Sequence, residues 1–144
     1  MNYWLVKSEP DSFSWDTQVA HGVEPWTGVR NFLARNHLRE MRLGDLAFFY
    51  HSNIGKEIVG VVEVVREAYP DATAEKGDWS CVDMRALSSF SRPVTLAEMK
   101  VDAALEGLSL LRQSRLSVAP VEPAFWAHIC KLGGWSPASG STRT

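Results

Sequence analysis

The stretch Leu46-Ala47-Phe48-Phe49-Tyr50-His51-Ser52-Asn53 constrains this chain more tightly than any other. Three adjacent aromatic side chains run directly into polar ones. Gly44-Asp45 stops the preceding segment and Asn53-Ile54-Gly55 supplies a turn, so the residues between them read as a strand. Side chains alternate along a strand, which puts Leu46, Phe48, Tyr50 and Ser52 on one face and Ala47, Phe49, His51 and Asn53 on the other. Neither face is solvated in its first half, and the strand is therefore expected to be buried on both sides. At its far end, aromatic surface gives way to hydrogen-bonding groups. A pocket for a flat ligand with polar edges requires that combination. A second apolar strand, Glu57 to Arg66, follows at once and pairs with the first as a hairpin.

With 144 residues, 45% of them hydrophobic, the chain has material for one well-buried domain. Fifteen basic residues face 17 acidic ones, a net charge of -2, which excludes a protein that holds nucleic acid mainly through a broad basic field. A reader that takes one nucleotide into a pocket and makes few phosphate contacts stays open. Cys81 and Cys130 match no metal-ligand spacing, and their apolar surroundings suit reduced core thiols. The apolar run Tyr3 to Val6 ends at Lys7, too short for a signal peptide, and no stretch approaches a membrane span. The expected setting is cytoplasmic, or nuclear if the source is eukaryotic, with no membrane partner.

Around the aromatic strand the chain divides into short elements. Asn2 to Lys7 predicts a first strand, broken at Ser8-Glu9-Pro10. Asp11 or Ser12 caps a short helix carrying Phe13, Trp15 and Val19 to His21-Gly22. A Pro-Trp-Thr-Gly loop follows, then a helix over Arg30 to Met41 whose apolar side is Val29, Phe32, Leu33 and Met41. Alternation resumes at Ser80 with Val82, Met84 and Ala86 on one face and continues towards Val94. Glu122-Pro123 opens a last helix with a core face of Phe125, Trp126, Ile129 and Leu132, stopped by Gly133. Ser136 to Thr144 reads as a disordered tail. Short strands interrupted by helices without a βαβ rhythm point to an α+β domain built around a small, mostly antiparallel β-barrel.

Trp26 lies in a loop between Pro25 and Thr27-Gly28, outside any periodic element. It reads either as a core plug or as one wall of an aromatic slot, with Gly28 allowing close backbone approach. A stacking slot contributes on the order of 1–3 kcal/mol per base and discriminates poorly, so selectivity would come from a polar rim. Candidates for that rim are Lys7-Ser8-Glu9 and Tyr50-His51-Ser52-Asn53, which supply the donors and acceptors a base edge needs. Turn and capping work accounts equally for Glu9 and Asn53, and a structural hydrogen bond for His51. Asn31, Arg35, Arg39 and Arg42 share one helix face, either solvated or a phosphate-binding stripe. Arg30 and Asn31 follow the Trp26 loop directly and are nearest to any ligand. His21, His37, His51 and His128 have no metal-ligand spacing, and no GxSxG, P-loop or GxGxxG occurs. No metal, cofactor or catalytic group is expected.

The segments Tyr3-Trp4-Leu5-Val6-Lys7-Ser8-Glu9-Pro10, Trp26-Thr27-Gly28-Val29-Arg30-Asn31 with Ala34-Arg35-Asn36, Gly44 to Ser52 and Lys56-Glu57-Ile58-Val59-Gly60 resemble the EVE domain family, a PUA-like group related to the YTH readers. Weaker matching runs through Tyr69-Pro70-Asp71 to Trp79 and Pro93-Val94, so that the resemblance covers residues 1–135. It implies a PUA-like barrel flanked by helices and a pocket for a modified nucleobase, with modified cytosine in DNA as the usual ligand class and RNA as a further one. Carried over by position, the base site would comprise Lys7, Ser8, Glu9, Trp26, Gly28, Val29, Arg30, Asn31, Tyr50, His51 and Ser52; from the charge pattern of the chain itself, Arg30, Arg35 and Arg39 are the expected phosphate contacts. The family's known members are readers, and the resemblance gives no support to catalysis. A sensor or enzyme acting on a free nucleotide or other small planar metabolite is the alternative, and an interaction module holding a partner's side chain is a third.

Overall fold

A computed structural model describes residues 1–113 and 115–136; residues 137–144 of the expected tail lie outside the described residues. One mixed sheet organises the molecule. Its strands are β1 (Tyr3–Ser8), β2 (Val23–Pro25), β3 (Leu46–His51), β4 (Glu57–Pro70), β5 (Ser80–Thr95) and β6 (Val118–Val121), in the order β2-β5-β4-β3-β1-β6. β1 and β3 run parallel, from Tyr3↔Leu46 to Ser8↔His51, and every other pairing is antiparallel. The architecture is the expected α+β, PUA-like one, but the sheet does not close. β2 and β6 remain its two edges, because β6 adds to the outer side of β1 instead of meeting β2. In place of the expected barrel there is an open mixed sheet.

β3 is buried along five of its six residues, as its pattern requires. Leu46, Phe48 and Tyr50 enter one apolar core, whereas Ala47 and Phe49 enter a second core on the opposite face. The first face is covered by α3 (Leu96–Lys100), a 3-10 turn (Ala103–Leu105), α4 (Ser109–Arg112) and α5 (Pro123–Gly133), where Trp126 stacks on Phe48 at 3.9 Å and 13°. The second is covered by α1 (Trp15–His21) and α2 (Phe32–Glu40), through Trp15, Ala34 and Leu38. A bulge in β4 lets Phe49 pair with Gly60 while Tyr50 pairs with Ile58. Trp15 lies against Gly60 so closely that a Cβ there would stand 2.3 Å from the indole. The Trp15 indole N–H donates to the Ser89 hydroxyl at 2.8 Å.

Three local expectations change. Ser14, not Asp11 or Ser12, caps α1, because the Ser12 and Phe13 N–H groups are taken by the Glu9 carbonyl in a preceding turn. α2 begins at Phe32 with Asn31 as its cap, and it buries Ala34, Leu38 and the following Met41, an i, i+4, i+7 stripe. Phe32 and Leu33, expected on the apolar side, are 66% and 45% exposed. α5 starts at Pro123 as expected, but its stop is Gly134, at φ 66°, not Gly133. Gly133 instead makes room for Phe90, whose ring would lie 2.2 Å from an added Cβ. Both cysteines are free and buried.

Candidate functional site

The parallel register of β1 and β3 brings both strands to a stop side by side, where Ser8 lies opposite His51. Beyond that point the chain turns sharply twice. The Ser52 N–H donates to the Ser8 carbonyl and the Lys7 N–H to the Ser117 carbonyl, both at 2.9 Å. The loop after β2 closes the third side. Between them opens a cavity of about 630 Å³, within the usual range for ligand sites. Lys7, Ser8, Glu9, Trp26, Gly28, Val29, Arg30, Asn31 and Ser52 line it, together with Phe13 and with Arg115 and Ser117 from the approach to β6. Of the base-site residues expected from the sequence, Tyr50 and His51 alone lie elsewhere.

Their placement follows from strand parity. Tyr50 points with Leu46 and Phe48 into the α5 core and is 3% exposed. It lines a separate recess of about 290 Å³, which shares Lys7 and Ser52 with the main cavity and adds Lys56 and Lys100. His51 turns to the other face, where its Nε2 accepts the Trp15 N–H at 3.0 Å and satisfies the start of α1. Burial pushes the His51 pKa down, against the pull of Glu57 and Asp16, in keeping with a neutral acceptor. Burial also lowers the pKa of the Lys7 amine.

Trp26 belongs to the core and to the cavity wall at once. It is 7% exposed, packs edge-on to Phe13 at 6.0 Å and to Phe49 at 5.6 Å, and donates its backbone N–H to the Val82 carbonyl at 2.7 Å. At the rim, the Ser8 hydroxyl donates to the Phe13 carbonyl at 2.5 Å, and the Glu9 carboxylate accepts from the Asn53 amide at 3.3 Å. Ser8 and His51 are thus engaged with separate backbone groups and do not compose a nucleophile–base pair.

Asp71, which the sequence reading passed over as a site residue, holds the Trp26 loop in place. Its buried carboxylate accepts the Gly28 N–H at 2.9 Å, the Arg30 guanidinium at 3.0 Å, and the Thr73 N–H and hydroxyl at 2.8 and 2.6 Å. Gly28 presents that N–H from φ 84°, a conformation that favours glycine. Burial alone would raise the Asp71 pKa, but the donors from Thr73, Gly28 and Arg30 outweigh it and hold the group at about 2. The signal in the sequence was its position just beyond Tyr69-Pro70, in a loop with no apolar pattern. Phe13, Arg115 and Ser117 carried no such signal.

Of the three arginines expected on phosphates, Arg30 alone lines the cavity. Arg39 bonds the Ser80 hydroxyl at 2.9 Å and pairs with Asp78 at 2.8 Å. Arg35 donates to the Asn36 side chain and the Asp78 carbonyl. Together they hold the segment between β4 and β5 against α2. Among the described residues, no group of His, Cys, Asp and Glu side chains is arranged to hold a metal ion, and no helix is long and apolar enough to cross a membrane.

Several known proteins are similar to this chain in sequence or fold. Thymocyte nuclear protein 1 from mouse is 36% identical over an alignment covering 95% of this chain and 76% of the relative. A crystal structure of a protein from Agrobacterium tumefaciens is 48% identical, with a TM-score of 0.91 over 94% of each chain. Human thymocyte nuclear protein 1, solved in complex with 5-methylcytosine-containing DNA, is 33% identical with a TM-score of 0.86, over 95% of this chain and 100% of that one. A Zygosaccharomyces rouxii YTH domain, solved with N6-methyladenosine RNA, shares the fold at a TM-score of 0.60 and 16% identity, covering 91% of this chain and 85% of that one. The sequence model of the EVE domain matches residues 2–132, and the chain belongs to the EVE domain family.

Proposed function

We propose that the protein is a nucleic-acid reader that takes a modified base, a modified cytosine in DNA before others, into the cavity between β1, the Trp26 loop and Ser52. The observation that carries this reading is the cavity of about 630 Å³, in a chain whose fold matches that of a relative solved with 5-methylcytosine-containing DNA. Trp26 and Phe13 offer aromatic surface for the base, and Gly28 and Val29 let it approach the backbone. Ser8, Glu9, Asn31 and Ser52 supply donors and acceptors for its edge, with Lys7 and Arg30 beside them. Tyr50 and His51 act from behind, bracing the strand end and the start of α1. In this reading Arg30, Arg35 and Arg39 meet the neighbouring phosphates.

Magnitudes limit what each part does. Stacking is nearly indifferent to a methyl group. A methyl buried against apolar surface adds about 0.8 kcal/mol, a preference of roughly fourfold. Extracting a base from a duplex costs a few kcal/mol, which favours single-stranded sites.

Fluorescence anisotropy with single- and double-stranded oligonucleotides, carrying one 5-methylcytosine or one cytosine at fixed salt, tests the reading. The modified single strand should bind tightest, by several-fold. Trp26→Phe, checked for folding by circular dichroism, should weaken it by at least about fivefold through lost stacking surface. Equal binding of modified and plain strands, with Trp26→Phe indistinguishable from the unmutated protein, overturns the reading. Binding of free 5-methyl-2′-deoxycytidine as tight as that of the oligonucleotide would instead support a small-molecule sensor.

A further inference from the structure

Phe32 begins α2 on the side away from its buried stripe and is 66% exposed, yet its ring is held in place. Trp79 stacks on it at 5.1 Å and 15°. Arg35, one turn along the helix, lies over both rings, at 5.1 Å from Phe32 and 5.8 Å from Trp79. Arg30 lies 5.7 Å from the Trp79 ring and also lines the main cavity, so the aromatic pair adjoins the mouth of the site. Charge distinguishes the three arginines. Arg30 is paired with Asp71 and Arg39 with Asp78, whereas Arg35 pairs with no carboxylate among the described residues and donates to neutral oxygens only.

We propose that Phe32, Trp79 and Arg35 form a second nucleotide subsite, on which an unpaired base flanking the captured one stacks while Arg35 faces its phosphate. Holding the segment between β4 and β5, to which Arg35 and Arg39 contribute through Asp78, does not account for the whole patch, since the open surface of Phe32 takes no part. A rigid aromatic pair beside an uncompensated guanidinium is the equipment of sequence-tolerant single-strand binding, in which each stacked base contributes about 1–3 kcal/mol. Arg35 gives the surface the charge that suits a phosphodiester rather than an apolar protein face. The inference rests on the base-capture reading above and adds to it a second, modification-blind contact.

Phe32→Ala tests it, because an exposed side chain can be removed without opening the core. The probes are a single-stranded oligonucleotide with one 5-methylcytosine between thymidines, and the free nucleoside 5-methyl-2′-deoxycytidine. The variant should bind the oligonucleotide roughly 5- to 100-fold more weakly, as loss of one stacked base requires. Its affinity for the nucleoside and its preference for modified over plain strands should be unchanged, and Phe32→Trp should restore oligonucleotide binding. An oligonucleotide affinity within about twofold of the unmutated protein, or an equal loss for the nucleoside, overturns the proposal. If the unmutated protein shows no preference for the modified strand, the capture reading fails separately. The subsite is then judged on the Trp79 indole N–H resonance titrated with unmodified oligothymidylate. A shift that disappears in Phe32→Ala sustains it, and no shift overturns it.

Discussion

At the scale of single residues, Asp71 shows how much of a cavity-lining loop can depend on one buried carboxylate. Its four donors come from the Trp26 loop, from Arg30 and from its own turn, so the carboxylate decides where Gly28 and Arg30 stand. Asp71→Asn removes the charge that balances Arg30 and turns one acceptor into a donor facing donors. The expected cost is about 2–3 kcal/mol in urea denaturation, together with weaker oligonucleotide binding. The sign with pH follows from a folded pKa of about 2, below the ordinary 3.8. The stabilisation is complete above about pH 4 and is lost as pH falls towards 2. The gap between the two proteins should narrow across that window, and a constant gap would deny Asp71 its role as a charged anchor. Trp26 and Gly28 stood out in the sequence because a tryptophan between proline and glycine belongs to no periodic element. A structural hydrogen bond was one of two readings open for His51, but its partner, the Trp15 N–H, was not legible because it lies 36 residues away.

At the scale of elements, β3 and β4 were legible because alternation and turn residues are local properties. The bulge in β4 was not. It places both Val59 and Gly60 on the face that Trp15 covers, and the indole fits only because residue 60 has no side chain. Gly60→Ala should therefore cost about 1–3 kcal/mol of thermal stability, the usual penalty of overpacking. A melting temperature equal to that of the unmutated protein would mean that the sheet and α1 separate freely there. α2 carries a related lesson. Its apolar residues outnumber the places in its buried stripe, so the pattern alone assigned Phe32 and Leu33 to the core. The face of α2 that meets the sheet carries Ala34 and Leu38, which leaves Phe32 outside, against Trp79.

At the scale of the whole molecule, the charge balance predicts how binding responds to salt. With 15 basic and 17 acidic residues there is no broad positive field, and Arg30 and Arg39 are already paired with carboxylates. Log affinity against log salt should fall with a slope of about -1 to -2, one to three phosphate contacts at about 0.7 each for a single strand. A slope steeper than about -5 would mark a basic-field binder and contradict the pocket reading. The strands β1, β3, β4 and β5, the β3–β4 hairpin and the Trp26 loop could be derived from the chain, because periodicity and turn chemistry do not depend on which segments meet, whereas β2 fell within a stretch that reads as loop. The other partners of each strand could not be derived. β1 lies parallel to β3 and accepts β6 on its other side, a matter of register between segments 40 or more positions apart, as in Tyr3↔Leu46 and Tyr3↔Val121. That register leaves the sheet open, turns Tyr50 and His51 away from the cavity, brings Arg115 and Ser117 into its wall, and sets Asp71 beneath Gly28. Local pattern specifies the pieces. Long-range pairing of the backbone specifies which side chains share a space.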